Sequence, residues 1–162
     1  MPQTPSVLFV CLGNICRSPL AEAALRHEAE KAGLNIAVDS AGTGSWHIGK
    51  APDPRSCTEA QRHGIDISAY RARQVTAKDF DRFDRIVALD ASNLANLRRI
   101  APAGHPAGHR ARLSLLLDHV PGLEGQDVDD PYFGGPEGFE TTWRQVSEAA
   151  RNLVSELSKT RD

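Results

Sequence analysis

The sequence predicts a single three-layer α/β domain in which helices cover both faces of a four-stranded parallel sheet. Two observations carry this prediction. Four apolar segments with the character of strands alternate with segments that have helix start and stop signals, and the first apolar segment is continuous, as in a strand buried on both faces. The chain has 162 residues, of which 40% are hydrophobic and 25% charged, which suits one core. We therefore expect one domain over residues 1–162.

The first strand and the helix that follows it have the clearest local signals. Residues 6–11, SVLFVC, form the continuous apolar segment and predict a central strand. Ser18 is a suitable helix cap, Pro19 suits the first helical position, and Gly33 follows the helix end. Residues 35–42, NIAVDSAG, predict the second strand, which ends in small residues.

The remaining elements continue the alternation. Capping and stop residues predict further helices at 54–64, 76–83 and 92–100. The spacing of apolar residues by three and four predicts an amphipathic helix at 139–159. A third strand is predicted at 84–90, and residues 111–120 are predicted to contain a fourth. Thr76 is expected to cap one of these helices, with Asp79 in a partial capping box, and Ser92 is expected to cap the next.

The composition disfavours several classes of protein. The net charge of −2 lacks the basic excess that is usual in nucleic-acid-binding proteins. No apolar segment approaches the roughly 20 residues of a membrane helix, and the N-terminal MPQTPSVLFV lacks the basic start of a signal peptide. Three cysteines, an odd number at low density, do not indicate a disulfide framework. We therefore expect a cytoplasmic protein that binds neither nucleic acid nor membrane.

The segment between the first strand and the first helix has the features of a phosphate-binding loop. Ligands of open α/β folds bind at the carboxyl ends of the strands, where Cys11 lies. Main-chain N–H groups of residues 12–17 and the helix N-terminus can together hold an anion. Gly13 permits backbone conformations that other residues resist, and the planar guanidinium of Arg17 matches two oxygens of a phosphate. These features predict a site for one oxyanion.

Beside a bound phosphate, the Cys11 thiol is a candidate nucleophile. Helix N-termini and nearby cations favour the thiolate, which is the reactive form, and a thiolate next to phosphorus can attack it. An inert buried thiol with Arg17 as a surface charge is the alternative, disfavoured by the order of strand, glycine, arginine, Ser-Pro and helix start. We expect no metal and no cofactor, because the cysteines and histidines lack ligand spacing and Arg17 and the main chain meet the phosphate charge.

Four stretches of the chain resemble, in order, the low-molecular-weight protein tyrosine phosphatase family. They are VCLGNICRSPLAEA at 10–23, DSAGTGSWHIGKAPDPR at 39–55, RARQVTAKDFDRFDRIVALDASNL at 71–94 and DDPYFGG at 129–135. The resemblance covers nearly the whole chain and implies a small doubly wound fold with four parallel strands. It also implies hydrolysis of phosphotyrosine in a protein substrate through a phosphocysteine, with Cys11 as nucleophile and Arg17 as phosphate clamp.

The long acidic loop 121–138 is the predicted source of a general acid. A tyrosine leaving group has a pKa of about 10, so its expulsion requires a proton donor. The loop offers Asp127, Asp129 and Asp130. The resemblance assigns the acid to Asp130, directly before proline, and the same carboxylate would then act as base toward water. From spacing alone, Asp129 is an equally suitable candidate for the general acid. An Asp-Pro pair is also common in simple turns, which is the alternative for Asp130.

Three polar residues are expected to support the loop. By the resemblance, Asn14, Ser18 and Ser40 form a hydrogen-bond network that holds the loop in shape. Ser18 would also steady the leaving thiolate, and a plain helix cap is its alternative role. An ordinary turn residue is the alternative for Ser40.

Asp90 matches a buried aspartate of the family that pairs near the loop. Family members often carry a histidine just before the RARQ segment, where this chain has Tyr70. The resemblance therefore implies no histidine partner for Asp90 in this chain. The alternatives for Asp90 are a contact with Arg73 or the cap of the following helix.

The predicted pocket walls are apolar and partly aromatic. They are Leu12, Ile15, Trp46, Tyr132 and Phe133. Aromatic walls make a deep slot for a flat ring, and a short phosphoserine would not fill it. Each of these residues would also suit a core position.

Other functions stay open at this point. Arginine phosphatases of the same fold typically carry threonine at the position of Ile15 and lack the double aromatic after Asp-Pro. Related arsenate reductases need further cysteines, and none follows Cys57. Cys16 either traps an oxidised Cys11 as a disulfide, by the resemblance, or is a small buried residue. An idle phosphate-binding or redox-sensing module is disfavoured by the presence of both Cys11 and an Asp-Pro acid, and a tyrosine kinase as partner stays open.

Overall fold

The fold is organised around four parallel strands in the order β2-β1-β3-β4. The structure is a computed structural model that describes residues 4–161. The strands are β1 (Ser6–Cys11), β2 (Ala37–Gly42), β3 (Arg85–Ala88) and β4 (Arg112–Leu115). Residues 1–3 and 162 lie outside the described residues. Residues 1–3 are part of the N-terminal segment that lacks the features of a signal peptide.

Five helices connect the strands and follow the last one. They are α1 (Arg17–Lys31), α2 (Pro54–Arg62), α3 (Asp79–Arg82), α4 (Ala91–Ile100) and α5 (Pro136–Arg161). The side chains of β1 alternate between two cores, as the period of a strand requires. Val7 and Phe9 pack with α1, α2 and α5 on one face of the sheet, and Leu8 and Val10 pack with α3 and α4 on the other. The predicted α/β class with helices on both faces is confirmed.

The start of α1 differs from its prediction. The helix begins at Arg17, its cap position is Cys16, and no side chain makes the capping hydrogen bond. Ser18 is therefore inside the first turn, and the prediction that it caps the helix is wrong. The physical reason is that its hydroxyl contacts the Cys11 sulfur at 2.9 Å instead.

Two other predicted caps are displaced as well. Asp90, not Ser92, caps α4, because its extended backbone places the carboxylate where it accepts a hydrogen bond from the Asn93 N–H at 2.7 Å. The third helix begins at Asp79 rather than Thr76, although the Asp79 carboxylate accepts from the Thr76 N–H at 2.8 Å, as half of a capping box. At α4 the cap is thus an aspartate two residues before the predicted serine, and at α3 Asp79 makes the hydrogen bond predicted for it in a partial capping box.

Two boundaries near the C-terminal half also shift. β4 ends at Leu115, and Leu116–His119 form a 3-10 turn whose Leu116 and Leu117 point into the core, so the apolar run 111–120 is only partly strand. α5 begins at Pro136, before the predicted Phe139. The long loop before α5 is therefore shorter than predicted.

Candidate active site

Cys11 is the last residue of the central strand, and Arg17 is the first residue of α1. Both side chains are only 3% exposed. The residues between them turn through a left-handed conformation at Asn14, whose φ is 60°. Such a conformation is unfavourable for residues other than glycine, so it requires support from its surroundings.

Hydrogen bonds of the Asn14 side chain provide that support. Its Oδ1 accepts from the Arg73 main-chain N–H at 3.0 Å, which identifies the other side-chain atom as the amide donor. Nδ2 then donates to Ser18 Oγ at 2.8 Å and to Ser40 Oγ at 3.0 Å. Because the Ser18 oxygen accepts from Asn14, its own proton is free to be donated to Cys11 Sγ, 2.9 Å away.

Neither Gly13 nor Gly42 has a positive φ, and only Gly42 is so close to main-chain atoms that a side chain would not fit. A Cβ on Gly13 would lie 2.9 Å from Cδ2 of His47, which is part of the pocket wall. A Cβ on Gly42, at the end of β2, would lie 2.7 Å from the Leu12 carbonyl oxygen. The expectation that Gly13 supplies an unusual backbone conformation is therefore wrong: Asn14 supplies it.

The Arg17 guanidinium is held in place by two acceptors behind the loop. Nη1 donates to Asp90 Oδ2 at 2.7 Å and to the Val128 carbonyl at 2.8 Å, while Nη2 lies 3.6 Å from Asp130 Oδ2. Burial by itself lowers the pKa of Arg17, but its interactions with Cys11, Asp90 and Asp130 raise that pKa above the ordinary value. Asp90 thus pairs with Arg17 and caps α4 at the same time.

Arg73 does not contact Asp90. Its guanidinium binds the carboxylates of Asp39 and Asp79, with Nε and Nη distances of 3.0 and 3.1 Å. Tyr70 interacts with Arg26 and Glu22, and burial is the largest cause of its raised pKa. The residue at the family's histidine position therefore lies near α1 and not near Asp90.

The long acidic loop before α5, residues 121–135, is called the acid loop below. Its three aspartates lie in different surroundings. Asp130 lines the cavity above Cys11, its side chain is 40% exposed, and its Oδ1 accepts from the Tyr132 N–H at 3.0 Å. Asp127 accepts from the Ala91 N–H at 2.8 Å at the start of α4. Asp129 is exposed and does not line the cavity. Of the three, only Asp130 faces the sulfur and the guanidinium.

A cavity of about 250 Å³ brings the predicted residues together. Its lining consists of Cys11, Leu12, Gly13, Ile15, Cys16, Arg17, Trp46, His47, Asp130, Tyr132 and Phe133. Four polar residues lie behind the cavity and stabilise the loop at its base through the hydrogen bonds described above: Asn14, Ser18, Ser40 and Asp90. The rim is apolar and accessible, since Trp46 is 68% and Phe133 92% exposed.

Glu22 is a buried carboxylate behind the loop that is not among the predicted site residues. Glu22 is 5% exposed and accepts from Ser40 Oγ at 2.7 Å and from Arg26 Nη2 at 2.8 Å. Burial is the main reason that its pKa is raised, and the hydrogen bonds from Ser40 and Arg26 partly offset this. The sequence does contain a signal for Glu22: this charged residue follows Ser18 by one helical turn, on a largely apolar side of α1.

Cys16 lies in the same cavity but has the properties of a neutral thiol. Burial, followed by the charges of Asp53, Cys11 and Asp130, raises its pKa to about 12. The unfolded chain releases this proton near an ordinary cysteine pKa, whereas the folded chain retains it, so stability falls as pH rises above that value.

Replacement of Cys16 by alanine is therefore expected to flatten the alkaline loss of stability. Between pH 8 and 10 the parent should lose about 1.4 kcal/mol more of its free energy of unfolding than Cys16→Ala does. Urea denaturation of the parent and of Cys16→Ala at both pH values measures this difference. Equal losses in parent and Cys16→Ala would show that Cys16 ionises equally easily in both states.

The described residues offer neither a metal centre nor a membrane span. Within residues 4–161, no group of three or more His, Cys, Asp or Glu side chains could hold a metal ion. No helix in this range is long and apolar enough to cross a membrane.

A cysteine, an arginine and an aspartate around one anion-binding loop define a class of enzyme, the cysteine-dependent phosphatases. The comparisons with known proteins narrow this class. The family described as low molecular weight phosphotyrosine protein phosphatase matches residues 6–162. The chain belongs to this family and is a protein-tyrosine phosphatase by that membership.

Individual relatives cover almost the full length. The low molecular weight phosphotyrosine protein phosphatase of Schizosaccharomyces pombe is 42% identical over 161 residues, which is 98% of this chain and 100% of the relative. The structure of YfkJ from Bacillus subtilis superimposes with a TM-score of 0.88 at 41% identity, covering 99% of this chain and 98% of that one. A Drosophila arginine phosphatase has a TM-score of 0.86 at 37% identity, covering 93% and 96%.

Proposed function

We propose that Cys11, Arg17 and Asp130 carry out phosphotyrosine hydrolysis in two steps. The observation that carries this proposal is their convergence on one cavity, with Asp130 Oδ2 3.6 Å from the Arg17 guanidinium and Cys11 at the floor. The main-chain N–H groups of the loop, the start of α1 and Arg17 bind the phosphate oxygens.

In the first step, the Cys11 thiolate attacks phosphorus. An S–P bond forms, the P–O bond to the tyrosine breaks, and Asp130 gives its proton to the departing phenolate oxygen. Ser18 supports this step by its contact with the sulfur at 2.9 Å. In the second step, the Asp130 carboxylate takes a proton from water, the water oxygen forms a bond to phosphorus, and the S–P bond breaks to release phosphate and thiolate.

The cavity walls favour a flat ring as the group attached to the phosphate. Trp46 and Tyr132 flank the cavity, and Ile15 closes its side near the loop. Such walls bind the phenyl ring of phosphotyrosine, whereas the shorter phosphoserine would leave them uncovered. The structural neighbour that is an arginine phosphatase makes phosphoarginine the second candidate. Ile15 and the Tyr132–Phe133 pair favour phosphotyrosine, since arginine phosphatases of this fold typically carry threonine and lack the pair.

The cellular setting is a further part of the proposal. The three cysteines are free, which fits a reducing compartment, and we infer a cytoplasmic location. A tyrosine kinase that produces the substrate is the partner that this activity implies.

Phosphate release from matched peptides tests the proposed substrate. One peptide sequence is prepared with phosphotyrosine, phosphoserine or phosphoarginine, and each form is incubated with the protein and a metal chelator. We expect turnover of the phosphotyrosine peptide with kcat/KM at least about 100-fold above the other two. Preferred turnover of phosphoarginine would contradict the assignment of phosphotyrosine.

A further inference from the structure

Arg55 links the phosphate-binding loop to the acid loop, although it does not line the cavity. It is the second residue of α2, and its side chain is 37% exposed. Nη2 donates to the Tyr132 carbonyl at 2.9 Å, and Nη1 donates to the Gly134 carbonyl at 3.4 Å. The guanidinium therefore binds two main-chain carbonyl groups, two and four residues after Asp130.

The same guanidinium is fixed from the opposite side by Asp53. Asp53 Oδ1 accepts from Arg55 Nε and Oδ2 accepts from Nη2, both at 3.0 Å. This planar, two-pronged arrangement is the geometry in which an accessible ion pair contributes measurably. The hydrogen bond to Arg55 is the main cause of the lowered pKa of Asp53.

Asp53 is in turn attached to the phosphate-binding loop. Its main-chain N–H donates to the Ile15 carbonyl at 2.9 Å. A continuous path of hydrogen bonds thus runs from Ile15 through Asp53 and Arg55 to Tyr132. Each link is a direct contact between atoms with defined donors and acceptors.

Aromatic contacts place the same guanidinium against the acid loop and α5. Its central carbon lies 5.5 Å from the centroid of the Tyr132 ring and 4.7 Å from that of Phe139. Lysine would not reproduce these contacts, because it lacks the planar fork. Arg55 therefore restrains both the backbone and the ring of Tyr132.

The restraint on Tyr132 reaches the general acid. The Tyr132 N–H donates to Asp130 Oδ1 at 3.0 Å, and the carbonyl of that same residue is the acceptor for Arg55. We propose that Arg55 is a positioning residue that holds the Asp130 carboxyl in place for proton transfer to the leaving group. This inference rests on the proposed function of Asp130.

The dependence of the rate on the leaving group tests this role. Aryl phosphates whose phenols span pKa values from about 4 to about 10 need proton donation to increasing degrees. In Arg55→Gln we expect kcat/KM to fall roughly 10–100-fold for the least acidic phenols, and less than about 3-fold for the most acidic. A merely structural role would lower all rates by one factor.

Two further variants isolate the path through Asp130. In the Asp130→Ala background, Arg55→Gln should add no further leaving-group dependence, since the group that it positions is absent. Arg62→Gln is the matched control, because Arg62 lies on the same helix and pairs with Glu59 and Glu140 away from the acid loop. Thermal unfolding and phosphate binding are measured for every variant, and Arg55→Lys, which keeps the charge, serves as the second test if Arg55→Gln is poorly folded.

The outcomes separate the inference from the proposed function. A selective loss with poor leaving groups that disappears in the Asp130→Ala background supports the positioning role. A uniform loss across the series, a loss equal to that of Arg62→Gln, or an undiminished effect without Asp130 overturns it. If the parent itself hydrolyses none of the aryl phosphates, the proposed function fails, and the inference fails with it.

Discussion

Replacement of Cys11 by serine is expected to abolish hydrolysis of a phosphotyrosine peptide, lowering kcat by roughly 10⁴-fold or more. In the proposed mechanism the nucleophile is the Cys11 sulfur at the end of β1, and a serine hydroxyl at that position is not ionised near neutral pH. The Ser18 hydroxyl, at 2.9 Å from the present sulfur, is not a base that could remove the serine proton.

Phosphate binding should survive this substitution. In the proposed mechanism Arg17 and the main-chain N–H groups bind the anion, and Arg17 is anchored by Asp90 and Val128 independently of the sulfur. Calorimetric titration with inorganic phosphate measures the binding, and Cys57→Ser, at a half-buried cysteine on α2, is the matched control. Retention of more than a few per cent of the parent rate by Cys11→Ser would contradict the assignment of the nucleophile.

Replacement of Asp130 by alanine is expected to lower kcat/KM for a phosphotyrosine peptide by about 10²–10⁴-fold. The tyrosine phenolate leaves poorly without a proton, and within the acid loop Asp130 is the aspartate that lines the cavity. The loss should be much smaller for an aryl phosphate with an acidic phenol, because that leaving group departs unprotonated.

Asp129→Ala is the matched control for this prediction. Asp129 is the neighbouring carboxylate, is exposed and does not line the cavity, so we expect its removal to change kcat/KM less than about 3-fold. Steady-state kinetics with both substrates compare the variants. A large loss in Asp129→Ala together with a small one in Asp130→Ala would reassign the acid to Asp129.

Much of the fold follows from the sequence because local and long-range signals agree. The continuous apolar segment at 6–11 is the central strand, flanked by β2 and β3 as a buried parallel strand must be. The loop after it combines Cys11, Arg17 and a helix start within a few residues, so its chemistry is visible in one stretch.

The supporting contacts depend on tertiary structure and are harder to predict. Glu22 reaches the site only through Ser40, a residue on a different element. The link from Arg55 to Tyr132 joins residues 77 positions apart. The helical spacing marks Glu22 as a polar residue on a buried face, but no local pattern shows that it contacts Ser40 or that Arg55 contacts Tyr132.

The displaced caps have a simpler cause. Ser92 and Asp90 are both good capping residues two positions apart, and sequence alone does not rank them. Asp90 is the cap because its extended backbone, with φ −150°, places its carboxylate within hydrogen-bond distance of the Asn93 N–H. At α1, a hydroxyl that suits a cap is engaged with a sulfur instead, which reflects the chemistry of the site rather than helix formation.

If hydrolysis passes through a covalent bond between phosphorus and the Cys11 sulfur, rapid denaturation during turnover should trap the phosphoryl group on that residue. The protein is mixed rapidly with a phosphotyrosine peptide, denatured during turnover, and mapped by fragmentation mass spectrometry. We expect one phosphoryl group on Cys11 in the parent and none in Cys11→Ser. Turnover without any protein-bound phosphate, or with the phosphoryl group on a different residue, would rule out a phosphocysteine at Cys11.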